Sequence, residues 1–84
     1  MEFKKKDNKI YLEDESGNII AEIDFEEIED KKYNIYHTFV DESLRGQGVA
    51  SKLVEAAVEE IKARGGSVQA TCSYAQKWLE KNKI

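Results

Sequence analysis

The sequence predicts an α+β fold in which antiparallel N-terminal strands of a mixed sheet are followed by a helix, a parallel strand and a C-terminal helix. Three observations lead there. Before Val40 apolar residues alternate at period two, the mark of half-covered strands. From Gly48 to Arg64 they recur at helical spacing instead. A short β-prone run, Ser67 to Thr71, then separates that helix from a second one, and a strand, helix, strand passage of this kind closes as a right-handed parallel crossover.

The first strand runs from Lys9 to Asp14, and Phe3 to Lys6 is either a short edge strand or its continuation. Glu15-Ser16-Gly17-Asn18 supplies the Gly and Asn that a hairpin turn needs. The second strand covers Ile19 to Ile28, with Ile19, Ala21, Ile23 and Phe25 on one face and Glu22, Asp24 and Glu26 on the other. Such alternation predicts one covered and one wet face. After the polar turn Glu29 to Lys32, Tyr33 to Val40 is a third strand rich in aromatic and β-branched residues.

Val49, Ala50, Leu53, Val54, Ala57, Val58 and Ile61 form the apolar stripe of the helix, which Gly65-Gly66 ends. Ser67 to Thr71 is short enough for a buried strand, and Ser73 to Asn82 reads as a final helix carrying Tyr74, Trp78 and Leu79. The crossover sets strand 67–71 beside strand 33–40. Ligands in such arrangements lie beyond the carboxyl ends of the strands, here the edge formed by Val40 to Gly48 and by Thr71-Cys72.

Eighty-four residues predict one domain, 1–84, burying roughly 60 to 65% of its unfolded surface. With 40% apolar residues in periodic order, the 36% charged fraction fits a folded protein rather than a disordered one. No apolar run approaches the length of a membrane span and no signal-peptide pattern opens the chain, so a cytoplasmic protein without a membrane partner is expected. A net charge of −4 argues against nucleic acid as the main partner and favours a neutral or cationic substrate. Nine acidic residues and no Lys or Arg lie between Glu13 and Asp30. They form either a solvated sheet face whose charge blunts edge pairing, or a field that attracts cationic acceptors. With Cys72 as the one cysteine, an intramolecular disulfide and a zinc site built on several thiolates are ruled out, and no metal is expected.

Chemistry is most clearly written into Leu44-Arg45-Gly46-Gln47-Gly48-Val49-Ala50. Glycines at 46 and 48 let the backbone turn so that several amides face one anion. The following helix leaves its first N–H groups unpaired at its positive end, a setting for phosphate. Arg45 adds a permanent cation with a planar fork of donors.

The segment Phe39-Val40-Asp41-Glu42-Ser43-Leu44-Arg45-Gly46-Gln47-Gly48-Val49-Ala50 resembles the acetyl-CoA signature of the GNAT acetyltransferase superfamily, Arg-x-x-Gly-x-Gly or Ala after a strand ending in valine. Arg45, Gly48 and Ala50 meet it in register. Together with His37-Thr38-Phe39-Val40 and Cys72-Ser73-Tyr74, the size of the chain resembles the subfamily of very small GNAT-like proteins. The resemblance is clear from Tyr36 to about Trp78 and weak before Tyr33.

What it implies is a GNAT-like mixed-sheet fold binding acetyl-CoA as co-substrate. Amides of Gln47, Gly48, Val49, Ala50 and Ser51 would hold its pyrophosphate with Arg45 and Gly46, and the pantetheine arm would run along Phe39 and Val40. The activity implied is N-acetyl transfer to an amine or protein acceptor, by a monomer or weak dimer, and the alternative is a non-catalytic acyl-CoA-binding module or sensor. Larger members usually carry a tyrosine on the last helix as general acid, where this chain has Leu79. The small subfamily tends to have a proline two residues before its cysteine and a His-Pro pair near the end, where this chain has Ala70 and Asn82-Lys83.

Three residues are candidates for catalysis, each with a structural alternative. Cys72, at a strand end where a helix N-terminus would favour its thiolate, is either an acetyl-accepting nucleophile or thioester contact, or a small apolar filler. His37, the one imidazole, is either a general base for the amine or a structural residue, depending on a strand register that sequence leaves open. Tyr74 either donates toward the thiolate or packs as an aromatic.

Overall fold

The computed structural model describes residues 2–82; Lys83, half of the terminal pair noted above, lies outside them. Five strands form one sheet in the order β1 (Lys4–Lys6), β2 (Lys9–Glu13), β3 (Ile19–Glu29), β4 (Lys32–Val40) and β5 (Ser67–Ala70). Neighbours from β1 to β4 are antiparallel, and β4 pairs with β5 in parallel. Helix α1 (Val49–Ala63) makes the crossover and α2 (Ser73–Lys81) follows β5.

Both helices pack on one face of the sheet. Val49, Leu53, Val54, Ala57, Val58 and Ile61 from α1 meet Ile10, Leu12, Ala21, Ile23, Phe25, Tyr33 and Ile35 from the strands, and α2 adds Ala75 and Leu79. Each large aliphatic side chain so buried contributes about 1.5–3 kcal/mol. Arg64 fastens the end of α1 to the β1–β2 turn. Its guanidinium donates to Asn8 Oδ1 (2.7 Å), the Asp7 carbonyl (2.8 Å) and Glu60 Oε2 (2.9 Å), and stacks over the rings of Phe25 and Tyr33.

Bulges alter the expected faces. Ile20 is the extra residue where Glu13 pairs with Ile19 and Leu12 with Ala21, so Ile19, expected in the covered stripe, is 41% exposed. Asp24, expected on a wet face, is 8% exposed. β3 lies between β2 and β4, so its acidic side chains blunt no edge. The edge strands are instead β1, which is all lysine, and β5, expected to be buried but in fact half-covered; its outer side has no neighbour among the described residues.

One further bulge positions the site. Asp24 faces His37 and Phe25 faces Ile35, leaving Tyr36 as an extra residue in β4. Pairing of β4 with β5 ends at the same point, Ile35 with Ala70. The amides of Thr71 and Cys72 both turn back to the Ile35 carbonyl, at 3.0 and 3.2 Å. Beyond it the two strands part, and a gap opens beside the last residues of β4.

Candidate active site

Below that gap the chain is folded into a cradle of amides. The Asp41 carboxylate accepts from the Ser43 amide at 3.0 Å and caps the single 3₁₀ turn Glu42–Leu44. Gly46 (φ +84°) and Gly48 (φ +70°) are both left-handed, a conformation L side chains adopt at a cost. Gly48 caps α1 with no side-chain hydrogen bond, and the first bond of the helix runs from Lys52 N to its carbonyl at 3.2 Å. Gln47 N donates to the Leu44 carbonyl at 3.3 Å, whereas no such backbone bond engages the amides of Gly48, Val49, Ala50 and Ser51 among the described residues. They are the donors that a helix start offers to an anion.

These amides face a cleft of about 270 Å³ lined by Val40, Leu44, Arg45, Gly48, Ser51 and Tyr74, among others. Ser51 and Tyr74 also border a groove of about 580 Å³ along the α1–α2 seam, with Glu55, Lys77, Trp78 and Lys81. Trp78 Nε1 donates to Ser51 Oγ at 2.9 Å, tying the two helices together where the cavities meet. The Arg45 side chain is exposed and only 3.9 Å from Glu42 Oε1, a loose pair that leaves its fork available.

Cys72 caps α2 on the other side of the gap. Its sulfur lies 3.5 Å from Thr38 Oγ1. Burial pushes the thiol up, but the Ala75 amide, the Thr38 hydroxyl and the Tyr74 amide outweigh it, so the net effect favours the thiolate. No side-chain capping bond closes here. The helix amides therefore act on the sulfur through their field rather than by a formed cap.

His37 is exposed on the sheet face that the helices leave open, directly across from Asp24. Thr38, its neighbour, points the opposite way toward Cys72. Imidazole and sulfur therefore flank the gap from opposite faces.

The profile of the GCN5-related N-acetyl-transferase family matches residues 9–84. The chain belongs to this family. The solution structure of a GCN5-like protein from Staphylococcus aureus superimposes with a TM-score of 0.79 at 39% identity, covering 98% of this chain and 80% of that one. Protein NATD1 of Xenopus tropicalis is 30% identical over 60 residues, 71% of this chain and 55% of the relative, so the chain spans about half the length of that curated relative. The fold is also shared, at TM-score 0.65 and 24% identity over 74% of this chain and 38% of the other, with the N-acetyltransferase YhbS from Escherichia coli, solved in complex with CoA.

In this GCN5-related protein the signature residues occupy one cavity wall: Val40, Arg45, Gly46, Gly48, Val49, Ala50 and Ser51 all border the cleft. Gln47 and Phe39 do not: the Gln47 amide, expected to face the anion, bonds the Leu44 carbonyl, and the Phe39 side chain shares the open face with His37, opposite Glu22. Cys72 and Tyr74 lie together at the start of α2, and Tyr74 is 42% exposed in the cleft wall. Leu79, in the place of the usual tyrosine, is 8% exposed within the core. Thr38 and the Ser51–Trp78 bond escape the sequence reading because both depend on contacts between distant elements. The alternation from Val40 back to Thr38 was the one available signal for Thr38. Among the described residues no helix is long and apolar enough to cross a membrane, and no group of three potential metal ligands occurs.

Proposed function

We propose that this protein binds acetyl-CoA in the groove beginning at Gly46–Ser51 and transfers the acetyl group to an amine. The observation that carries it is the row of free amides from Gly48 to Ser51, which opens a 15-residue helix onto a cleft. In this reading those amides and Arg45 hold the pyrophosphate, where fixed N–H dipoles, the helix end and a guanidinium act on the same charge. Backbone groups of β4 beyond Ile35, free of β5 pairing, bond the amides of the pantetheine arm. The thioester then lies in the gap beside Cys72.

Two routes follow from there. In the covalent one, the Cys72 thiolate attacks the acetyl carbonyl, a new S–C bond forms, and the coenzyme thiolate leaves with the electron pair of the broken bond. The amine then takes the acetyl group from Cys72. In the direct one, Cys72 contacts the thioester and the amine attacks it, with His37 as base. Tyr74 serves as a donor to the leaving thiolate. Mass spectrometry after incubation with acetyl-CoA separates the routes, because only the first leaves an acetyl group on Cys72.

A titration with acetyl-CoA followed by backbone amide shifts tests the binding. Shifts confined to residues 45–51, the end of β4 and the start of α2 are expected, and Gly48→Glu should abolish them while the remaining spectrum keeps its dispersion. Unchanged affinity in that variant would sink the assignment. The buried position of Leu79 favours a second reading, a non-catalytic acyl-CoA-binding module. Coenzyme release measured over a panel of amines distinguishes the two.

A further inference from the structure

The cleft at the amide cradle continues past its own lining. It shares Ser51 and Tyr74 with the groove on the α1–α2 seam, so a ligand seated on the free amides has a way onward between the helices. Helix α2 builds one wall of that passage. Tyr74, Lys77, Trp78 and Lys81 recur at helical spacing and all border the groove, over about 10 Å of helix. From α1 come Ser51 and, one turn on, Glu55.

The cations of this wall have no partner inside the protein. Lys77 and Lys81 are exposed and enter none of the ion pairs among the described residues, although Glu55 lines the same groove. Complementing the helix dipole accounts for Lys81, in the last turn of α2, but not for Lys77 a turn earlier. Two like charges at i and i+4 repel on their own helix, a cost that an anion between them reverses. Trp78 lies beside both. It is half-buried, and the bond from its Nε1 to Ser51 Oγ at 2.9 Å fixes the ring where the cavities meet. A fixed aromatic ring next to two ammonium groups suits a nucleotide, whose base stacks while its phosphate pairs.

We propose that the α1–α2 groove is the adenosine 3′-phosphate end of the coenzyme site, in which Lys77 and Lys81 pair with the 3′-phosphate and Trp78 carries the adenine. The site rests on the acetyl-CoA reading above and adds to it a choice of coenzyme, the 3′-phosphorylated form over the dephosphorylated one. From the pyrophosphate on Gly48 to Ser51 the ribose passes Ser51 into the groove. Glu55 is the one carboxylate lining it among the described residues. Its charge turns the phosphate away from α1 and toward the lysines. Arg45, which borders the cleft but not the groove, is left to the pyrophosphate.

Calorimetric titration with acetyl-CoA and with its 3′-dephospho analogue, at one ionic strength, measures that choice. Acetyl-CoA should bind roughly three- to tenfold more tightly, the worth of two exposed ion pairs. The double variant Lys77→Gln, Lys81→Gln removes both charges and keeps most of each stem, and its amide spectrum checks the fold. It should bind acetyl-CoA more weakly by that same factor and the dephospho analogue as before, so that the two ligands become equivalent. Equal affinities in the unmodified protein, or a variant that weakens both ligands alike, would overturn the 3′-phosphate site and leave acetyl-CoA binding standing. No binding of either ligand to the unmodified protein would overturn the coenzyme reading and this site with it.

Discussion

Cys72 Sγ and Thr38 Oγ1 lie 3.5 Å apart across the gap between the last residues of β4 and the start of α2. The contact joins the two sides of the site at the point where strand pairing has ended, and it makes the sulfur's state depend on a hydroxyl from another element. Replacing Thr38 by Val keeps the shape and removes that hydroxyl. The thiol should then rise toward its ordinary range, and alkylation of Cys72 by iodoacetamide near pH 7.5 should slow severalfold. Rates measured across pH, rather than at one value, separate this shift from a change in access.

The Trp78–Ser51 hydrogen bond holds the groove at the junction of its two cavities. Trp78→Phe retains most of the packing and leaves Ser51 Oγ without its donor, for an expected loss of about 1 kcal/mol in urea denaturation. Acetyl-CoA affinity should fall as well, because Ser51 contributes the last free amide of the cradle. Equal affinity in the variant would detach the indole from coenzyme binding.

Gly66 and Gly46 should respond differently to alanine. A Cβ on Gly66 would stand 2.8 Å from Tyr33 Cδ1 and Cε1 and 3.0 Å from the Lys31 carbonyl oxygen. Tyr33 is pinned against Phe25 and under Arg64, so it has little room to yield. A loss of about 1–3 kcal/mol is expected, read from thermal or denaturant unfolding. A Cβ on Gly46 meets nothing within 4 Å, and Gly46→Ala carries only the strain of φ +84°, about 1–2 kcal/mol.

Asp24 gives the stability a pH dependence whose sign follows from its raised carboxyl. The folded state holds its proton up to about pH 6 while the unfolded chain releases it near 3.8. The contribution is therefore complete below about pH 4 and lost as pH rises through about 6. Glu22 works the other way: the Asp24 hydrogen bond first, and then Lys9, hold it low, so its contribution is lost as pH falls. Asp24→Asn removes the first effect and keeps a donor for Glu22. It should be more stable than the unmodified protein at pH 8, on the order of 1 kcal/mol once solvent screening is allowed for, with the difference closing near pH 4. Melting temperatures at the two pH values check it.

Order and type of the elements are legible in the sequence. Period-two alternation in residues 9–40, the α1 stripe and the Gly65-Gly66 stop are local signals, and neighbouring side chains suffice to produce them. The amide cradle was legible for the same reason: Gly46, Gly48 and the first turn of α1 are contiguous, and the left-handed turns need glycine wherever the rest of the chain goes. The face taken by the Phe39 side chain is not legible in the same way, because strand register and not sequence distance decides it.

Sequence by itself thus determined the strand, helix and turn pattern and the backbone chemistry of the loop from Arg45 to Ser51. Tertiary structure alone decided where side chains meet. One inserted residue, Tyr36, sends His37 and Thr38 to opposite faces, sets His37 against a buried Asp24 and brings Thr38 to Cys72. Those pairings join residues 13 and 34 positions apart, and only the closed sheet and the packed α2 bring them within reach of one another.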